Sequence, residues 1–271
     1  MKLIESSVQI IEEKDPYKMI ELAGRTCYHS QDNITEDSAK EFVDRMIKLG
    51  HGAMLEHGTV YLTITATSPE VRKYEINPYS RVKKISVDGI NGRAYITTNY
   101  RVLVENKWLD DLKYQCDPTP THEKRITVKF ICDRGVSHEF VRHRVFSFAQ
   151  ESQRYCNYSK DKFGNELTFI KPTWFEREGL NDNVNADFED QLIDTQERYF
   201  SMLALGLKPQ EVRAILPNAI KTELVMTGFE SDWEHFLSLR CSSKAHPDAK
   251  KLADELKSLM NVKNIELNSV K

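Results

Sequence analysis

The chain has 271 residues, enough for one large domain or two small ones, and its 40% hydrophobic and 29% charged content is that of an ordinary globular core. Its 38 Lys+Arg against 41 Asp+Glu leave a formal charge of -3, so nothing global pulls it toward nucleic acid or anionic lipid, and any anion site must come from local clusters. Five widely spaced cysteines without a C-x-x-C pair argue against a disulfide framework and a cysteine-built zinc site. The charged start Met1-Lys2-Leu3-Ile4-Glu5 is no signal peptide, and no apolar run nears the roughly 20 residues that span a bilayer, so a soluble protein of the reducing cytoplasm is expected.

Residues 2–11 are β-branched enough for an opening strand. Asp15-Pro16 reads as an N-cap and first helical position, opening a helix to about Cys27 with Met19, Ile20, Leu22 and Ala23 inward. A second helix fits 36–49, with Phe42, Met46 and Ile47 on one face and Gly50 as its stop. The short polar segment His51 to His57 leads into Thr59–Thr65, which alternates like a strand. Asn77-Pro78 and Asn91-Gly92 are turn signals, 93–105 fits a strand or a helix, and Pro118 and Pro120 mark a loop. Ile126–Cys132 is a strand and Asp133-Arg134-Gly135 a turn. Ser137 then caps a helix over about 138–147, with Glu139 in its first turn. Residues 157–183 read as irregular and exposed, 186–205 as a long amphipathic helix, 209–217 as a short helix between prolines, and 219–228 as mixed. A helix capped by Ser231 or Asp232 runs to Arg240, another runs from Pro247 to about 261, and the tail is polar. One α/β domain with a large central insertion is the simplest architecture.

The densest polar chemistry is Arg142-His143-Arg144 within the 138–147 helix, followed after seven residues by Ser152 inside Gln150-Glu151-Ser152-Gln153-Arg154. A bare R-H-R is ordinarily a solvated helix face. Here a strand end delivers it and a second donor cluster follows, which suits a phosphorylated, planar ligand. A zinc-protease reading of His138-Glu139 fails, because the position four residues after His138 is Arg142 and His143 lies off that face. Ser152 has no nucleophile elbow around it, and Cys132 and Cys156 have no evident base, so buried structural thiols and a ligand-binding serine are the better readings. His51 and His57 flank Glu56 and are as readily hydrogen-bonded residues at a strand entry as site residues. Arg240 at a helix end is, by itself, a dipole-stabilising cation, and Arg213 is a lone charge among apolar neighbours. With no G-x-G-x-x-G and no P-loop, a bound dinucleotide must be held by arginines and side-chain amides.

At these residues the chain resembles the flavin-dependent thymidylate synthases. Arg142-His143-Arg144 to Ser152 fits their R-H-R-x7-S signature. Gly50-His51 through Glu56-His57 matches G-H-x-x-x-x-E-H, Val212-Arg213 through Leu216-Pro217 matches V-R-x-x-L-P, and His235-Phe236 with Arg240 matches H-F-x-x-x-R. The resemblance covers about 15–66 and 125–250 and leaves 67–124 as an insertion in a single domain over 1–271. It implies an α/β (α+β) fold with a central, mostly antiparallel sheet flanked by helices. It also implies FAD contacts from Arg142, His143, Arg144, Gln150 and His235, with His51 beside the flavin. The substrate dUMP would be held by Glu139, Glu151, Ser152, Gln153, Arg154 and Arg213, while Arg240 polarises the uracil. The implied reaction moves the methylene of 5,10-methylenetetrahydrofolate to uracil C5, with hydride from NADPH-reduced FAD and no enzyme nucleophile, to give dTMP and tetrahydrofolate. Sites shared within a homotetramer are implied too, with no metal and no nucleic-acid or membrane partner. The chain departs from the family at Ala53 (often Ser or Thr), Phe229 and Ser231 (often Asn and Arg) and Ala149 (often Asn or Ser), so part of the adenine or ribose grip must come from elsewhere. Two other classes compete: a nucleotide- or RNA-binding protein using 142–154, which predicts salt-sensitive polyanion affinity and no flavin colour, and a flavin-binding relative without the synthase reaction.

Overall fold

A computed structural model gives the fold and describes residues 1–86, 92–263 and 265. In chain order the elements are β1 (Lys2–Ile4), β2 (Ser7–Ile11), α1 (Pro16–Tyr28), α2 (Ser38–Lys48), α3 (Gly52–Leu55), β3 (Thr59–Thr65), α4 (Glu70–Glu75), β4 (Arg81–Ser86), β5 (Gly92–Asn99), α5 (Tyr100–Glu105), β6 (Arg125–Asp133), α6 (Arg134–Phe140), β7 (Ser147–Gln150), β8 (Thr168–Ile170), α7 (Asp182–Ala204), α8 (Pro209–Val212), β9 (Lys221–Phe229), α9 (Glu230–Arg240) and α10 (Pro247–Val262). The architecture is the expected mixed one: an antiparallel sheet β2-β6-β9-β7, an antiparallel sheet β3-β5-β4 and a parallel pair β1-β8. Among the described residues no helix is long and apolar enough to cross a membrane.

The two faces of the central sheet take different partners, because side chains alternate along each strand. Val128, Phe130, Leu224 and Met226 face Phe140, Trp233, Phe236, Leu252 and Leu256 of α6, α9 and α10 in one core. Ala149 and Val225, on the other face, meet Ala23 of α1. A further core joins α1 and α2 to β3 and β5 through Ile20, Phe42, Val60, Leu62 and Ile96. Each large side chain buried this way contributes about 1.5–3 kcal/mol.

Several expectations shift. The opening strand divides, β1 pairing with β8 and β2 with β6, since its two halves find different sheets. Asp15 caps α1 as read, accepting from Tyr17 N–H at 2.8 Å. Yet Glu21 takes a buried slot while Leu22 is half-exposed, because Arg25 at 2.6 Å and Ser38 Oγ at 2.9 Å satisfy the Glu21 carboxylate. Within 67–124, β5 and α5 divide the 93–105 stretch between strand and helix, and β5 pairs with β3 along its length from Thr59↔Asn99 to Thr65↔Arg93. Pro78 lies in a turn as read. Asn91 of the other turn signal, and most of the polar tail, fall outside the described residues. Residues 157–183 are exposed and irregular in large part, as read, but Tyr158, Leu167, Phe169 and Ile170 are buried and β8 lies among them. The stretch read as mixed, 219–228, holds β9, which pairs with both β6 and β7.

Candidate functional site

Helix α6 begins earlier than the Ser137 cap implied. Asp133 accepts from Val136 N–H at 2.7 Å and is the N-cap, so Ser137 falls inside the helix with its hydroxyl on Arg134 O at 2.8 Å. The helix ends at Phe140, and Arg142-His143-Arg144 lies on the turns after it rather than within it. Those turns are set by Phe140, His143 and Phe146, all buried, through His143 N–H to Phe140 O and Phe146 N–H to His143 O, both 3.1 Å. His143 therefore points inward, and its neighbours Arg142 and Arg144 are exposed with no ion pair among the described residues.

Arg240, the last residue of α9, reaches across to this turn. Its Nε donates to His143 Nε2 at 3.0 Å, its Nη1 pairs with the Glu139 carboxylate, and its Nη2 donates to Glu139 O at 2.5 Å. The guanidinium is thus locked between the ends of two helices, with its side chain 14% exposed. His143 accepts at Nε2, so its proton sits on Nδ1. Burial, then the nearby Arg240 and His235, pushes its pKa down to about 4, and it is neutral at neutral pH. His235 is exposed, with its ring 6.1 Å from that of His143.

Gln150, the last residue of β7, and Glu151, just after it, point to opposite sides. Gln150 Nε2 donates to Ser137 Oγ at 2.8 Å and Thr222 Oγ1 at 3.3 Å on the α6 side. Glu151 is 2% exposed and accepts from Tyr158 OH at 3.0 Å and Lys221 Nζ at 2.8 Å, so its carboxylate is committed within the chain. Lys221 also meets Glu223 at 2.7 Å, and Lys129 meets Glu223 at 2.6 Å. Burial opposes ionisation of Glu223, but Lys221 and Lys129 outweigh it and hold its pKa at about 2. His29, Glu151 and Glu223 present donor atoms within 4.8 Å of one another. A metal ion there would have to displace the Lys221 ammonium, which bonds both glutamates.

The following loop is pinned to α1 by Ser152 N–H to Cys27 O at 2.9 Å. It leaves Arg154 exposed, its guanidinium 5.4 Å from the Tyr155 ring, and buries Gln153 Nε2 without a partner among the described residues. Arg213 is exposed on the turn after α8. It lies close enough to Arg134 to add to the effect of burial in lowering that guanidinium's pKa. Arg134, Tyr158 and Lys221 escaped the sequence reading: the first sat in a triplet read as a turn, and the others in stretches read as irregular or mixed.

The upstream segment splits as well. His51 is exposed ahead of α3, whereas His57 is fully buried, with Nδ1 2.8 Å from Thr227 Oγ1 and its pKa pushed to about 3 by burial and Arg125. Ala149 is buried and packs against Ala23 and Val225. Phe229 lies under the guanidiniums of Arg81, 4.6 Å, and Arg125, 5.5 Å, and Ser231 Oγ bonds Glu123 at 2.5 Å. Cys132 and Cys156 are buried. Burial raises both thiols, Cys156 to about 12, so neither offers a thiolate.

Within one chain the structure thus gathers Glu139, His143, His235 and Arg240 with the Arg142–Arg144 turn, and brings Ser152, Gln153 and Arg154 to the end of α1. A cavity of about 300 Å³ beside Glu139 is lined by Asp133, Trp174, Phe188 and Asp248 but by none of Ser152, Arg154 and Arg213.

The sequence profile described as thymidylate synthase complementing protein matches residues 9–73 and 81–263, and so runs through most of the stretch set aside above as an insertion. A flavin-dependent thymidylate synthase of Geobacter sulfurreducens is 22% identical over 252 residues, 91% of this chain and 78% of that one. One from Corynebacterium aurimucosum is 24% identical over 243 residues, 87% and 72% of the two chains. Among solved structures, a UMP/dUMP methylase PolB from Streptomyces cacaoi bound with 5-Br UMP aligns over 97% of this chain and 92% of that chain, at 14% identity and a TM-score of 0.47.

Proposed function

The chain belongs to the thymidylate synthase complementing protein family, and from that premise we propose that it is a flavin-dependent thymidylate synthase. It converts dUMP to dTMP, with 5,10-methylenetetrahydrofolate as carbon donor, FAD as redox cofactor and NADPH as reductant. The observation that carries this reading is the Arg240 guanidinium, fixed by His143 and Glu139 across two helix ends. Making uracil nucleophilic at C5 spreads negative charge onto N3 and the ring carbonyls. A permanently charged, pre-oriented guanidinium stabilises that charge without proton transfer and without reorganisation. Neutral His143 serves this by accepting from Nε, where an imidazolium would repel it.

The donor set fits FAD. Arg142 and Arg144 are exposed cations without a carboxylate partner among the described residues, and His235 stands beside them. With Gln150, His143 and His51, these residues would hold the cofactor. When bound, the flavin supplies the hydride that completes the methyl group. Arg154, Ser152, the orphaned Gln153 amide and Arg213, joined by Arg134, take the dUMP phosphate through charge-assisted bonds. Glu151 serves indirectly by holding Lys221 and Tyr158. The resemblance extends the proposal to a homotetramer whose sites draw on more than one subunit. The free cysteines suit the reducing cytoplasm.

The test is an anaerobic absorbance titration with FAD and then NADPH, with and without dUMP. Bound flavin should bleach faster when dUMP is present, and Arg142→Ala should lose flavin. A wild-type protein that binds no flavin would remove the reading.

A further inference from the structure

Away from that site, a second cavity of about 290 Å³ opens between the loop after α4 and helix α5. Ligand pockets run from about 300 to 1,000 Å³, so its size suits one nucleoside rather than a whole dinucleotide. Its polar lining is amide-rich. Asn77 Oδ1 accepts from Tyr79 N–H at 2.9 Å, Asn99 Oδ1 accepts from Val102 N–H at 3.1 Å, and Asn106 Nδ2 donates to Val102 O at 2.8 Å. These backbone bonds fix the amide orientations. They leave two Nδ2 donors (Asn77, Asn99) and one Oδ1 acceptor (Asn106) without bonds among the described residues. Tyr79 stands at the rim, 63% exposed, as a surface for stacking. Arg101 is held between Glu56 at 2.5 Å and Glu105 at 2.7 Å, and Glu105 keeps Oε2 without a bond among the described residues.

We propose that this cavity takes the adenosine end of FAD, with Tyr79 stacked on the base, the three asparagine amides on its edge and Glu105 accepting from the ribose. The inference rests on the flavin reading above and deepens it. Adenine presents one amino donor among ring-nitrogen acceptors, the complement of an acceptor amide beside two donors. A carboxylate suits a ribose diol and repels a 2′-phosphate, so Glu56 and Glu105 favour FAD over NADPH as the source of the adenosine. No residue assigned above to the chemistry lines the cavity, so a reacting ring has no reason to enter it. Glu56 ties it to the His51–His57 segment. At the other strand–helix junction, Phe229 offers no polar side chain and Ser231 is committed to Glu123, whereas the β5–α5 junction offers Asn99 and Arg101.

The experiment compares FAD and FMN binding by fluorescence titration in the full-length protein and in Asn99→Asp and Tyr79→Ser. Asn99→Asp keeps the oxygen that caps α5 and removes only the amide donor, and Tyr79 is exposed, so both variants should fold. FMN lacks the adenosine. Each variant is expected to weaken FAD about tenfold and leave FMN within about twofold. Equal losses of FAD and FMN would overturn the proposal, as would unchanged FAD affinity; in the latter case a raised NADPH KM would assign the cavity to that cofactor instead. A wild-type protein that binds neither flavin would overturn the functional reading itself, and this inference with it.

Discussion

Arg240 and His143 form a single unit, and substituting either tests it from a different side. Arg240→Ala removes the guanidinium that faces the uracil in the proposed reaction, so dTMP formation should vanish while the flavin spectrum stays. Normal turnover in that variant would end its assigned role. His143 makes a prediction about stability. Its folded pKa of about 4 lies below the ordinary 6.5, so below pH 6.5 the unfolded chain binds a proton that the folded chain resists. Its contribution is present in full above pH 6.5 and is lost as pH falls toward 4, on the order of 3 kcal/mol for a buried imidazole. The urea midpoint should fall across that window, and fall less steeply in His143→Gln, which does not titrate. At this scale the sequence drew attention to the Arg142–Arg144 triplet. It could not say that His143 turns inward between two outward arginines, because that depends on Phe140 and Phe146 being buried on either side of it.

Elements were legible where local signals were strong, as with Asp15-Pro16 opening α1 and Thr59–Thr65 as β3. They were misread where two signals competed. Asp133 and Ser137 are both good caps, and Asp133 wins because β6 ends there and its carboxylate reaches Val136 N–H. Strand β9 was hidden because Lys221 and Glu223 interrupt its apolar run, and only their ion pairs with Glu151 and Lys129 make those charges tolerable in a buried strand. The approach of the 141–146 turns to β9 can be probed at Gly228, where an added Cβ would overlap the Phe146 ring. Phe146 is wedged against Trp233, ring centroids 4.6 Å apart, and cannot move freely. Gly228→Ala should therefore lower stability by about 1–3 kcal/mol in urea unfolding, and Phe146→Leu in the same chain should recover part of that loss. An unchanged midpoint in Gly228→Ala would show that the turn is loosely packed.

At the scale of the molecule, a homotetramer with shared sites, as proposed, predicts complementation between subunits. Arg240→Ala and Arg154→Ala should each be inactive alone. Mixed and reassembled, they should regain a fraction of wild-type activity, since some shared sites would then carry neither substitution. No recovery in mixed oligomers verified by mass would argue for sites contained within single chains. The 67–124 stretch belongs to the same scale: set aside as an insertion, it contributes β4 and β5 to the sheet that β3 joins.

The sequence by itself determined the chemistry on offer: clustered arginines on a nearly neutral chain, no nucleophile with a base, no phosphate-binding glycine loop, and four ordered segments that resemble one family. These are properties of residue types and short spacings, which survive any arrangement in space. Only the tertiary structure decided which residues act together. Arg240 meets Glu139 and His143 from about a hundred residues away, Glu151 turns from Gln150 just past the end of β7, and Lys221 finds two glutamates across neighbouring segments. Apart from the Lys221–Glu223 pair, which lies within β9 itself, such pairings depend on sheet register and helix packing, which a one-dimensional pattern does not carry.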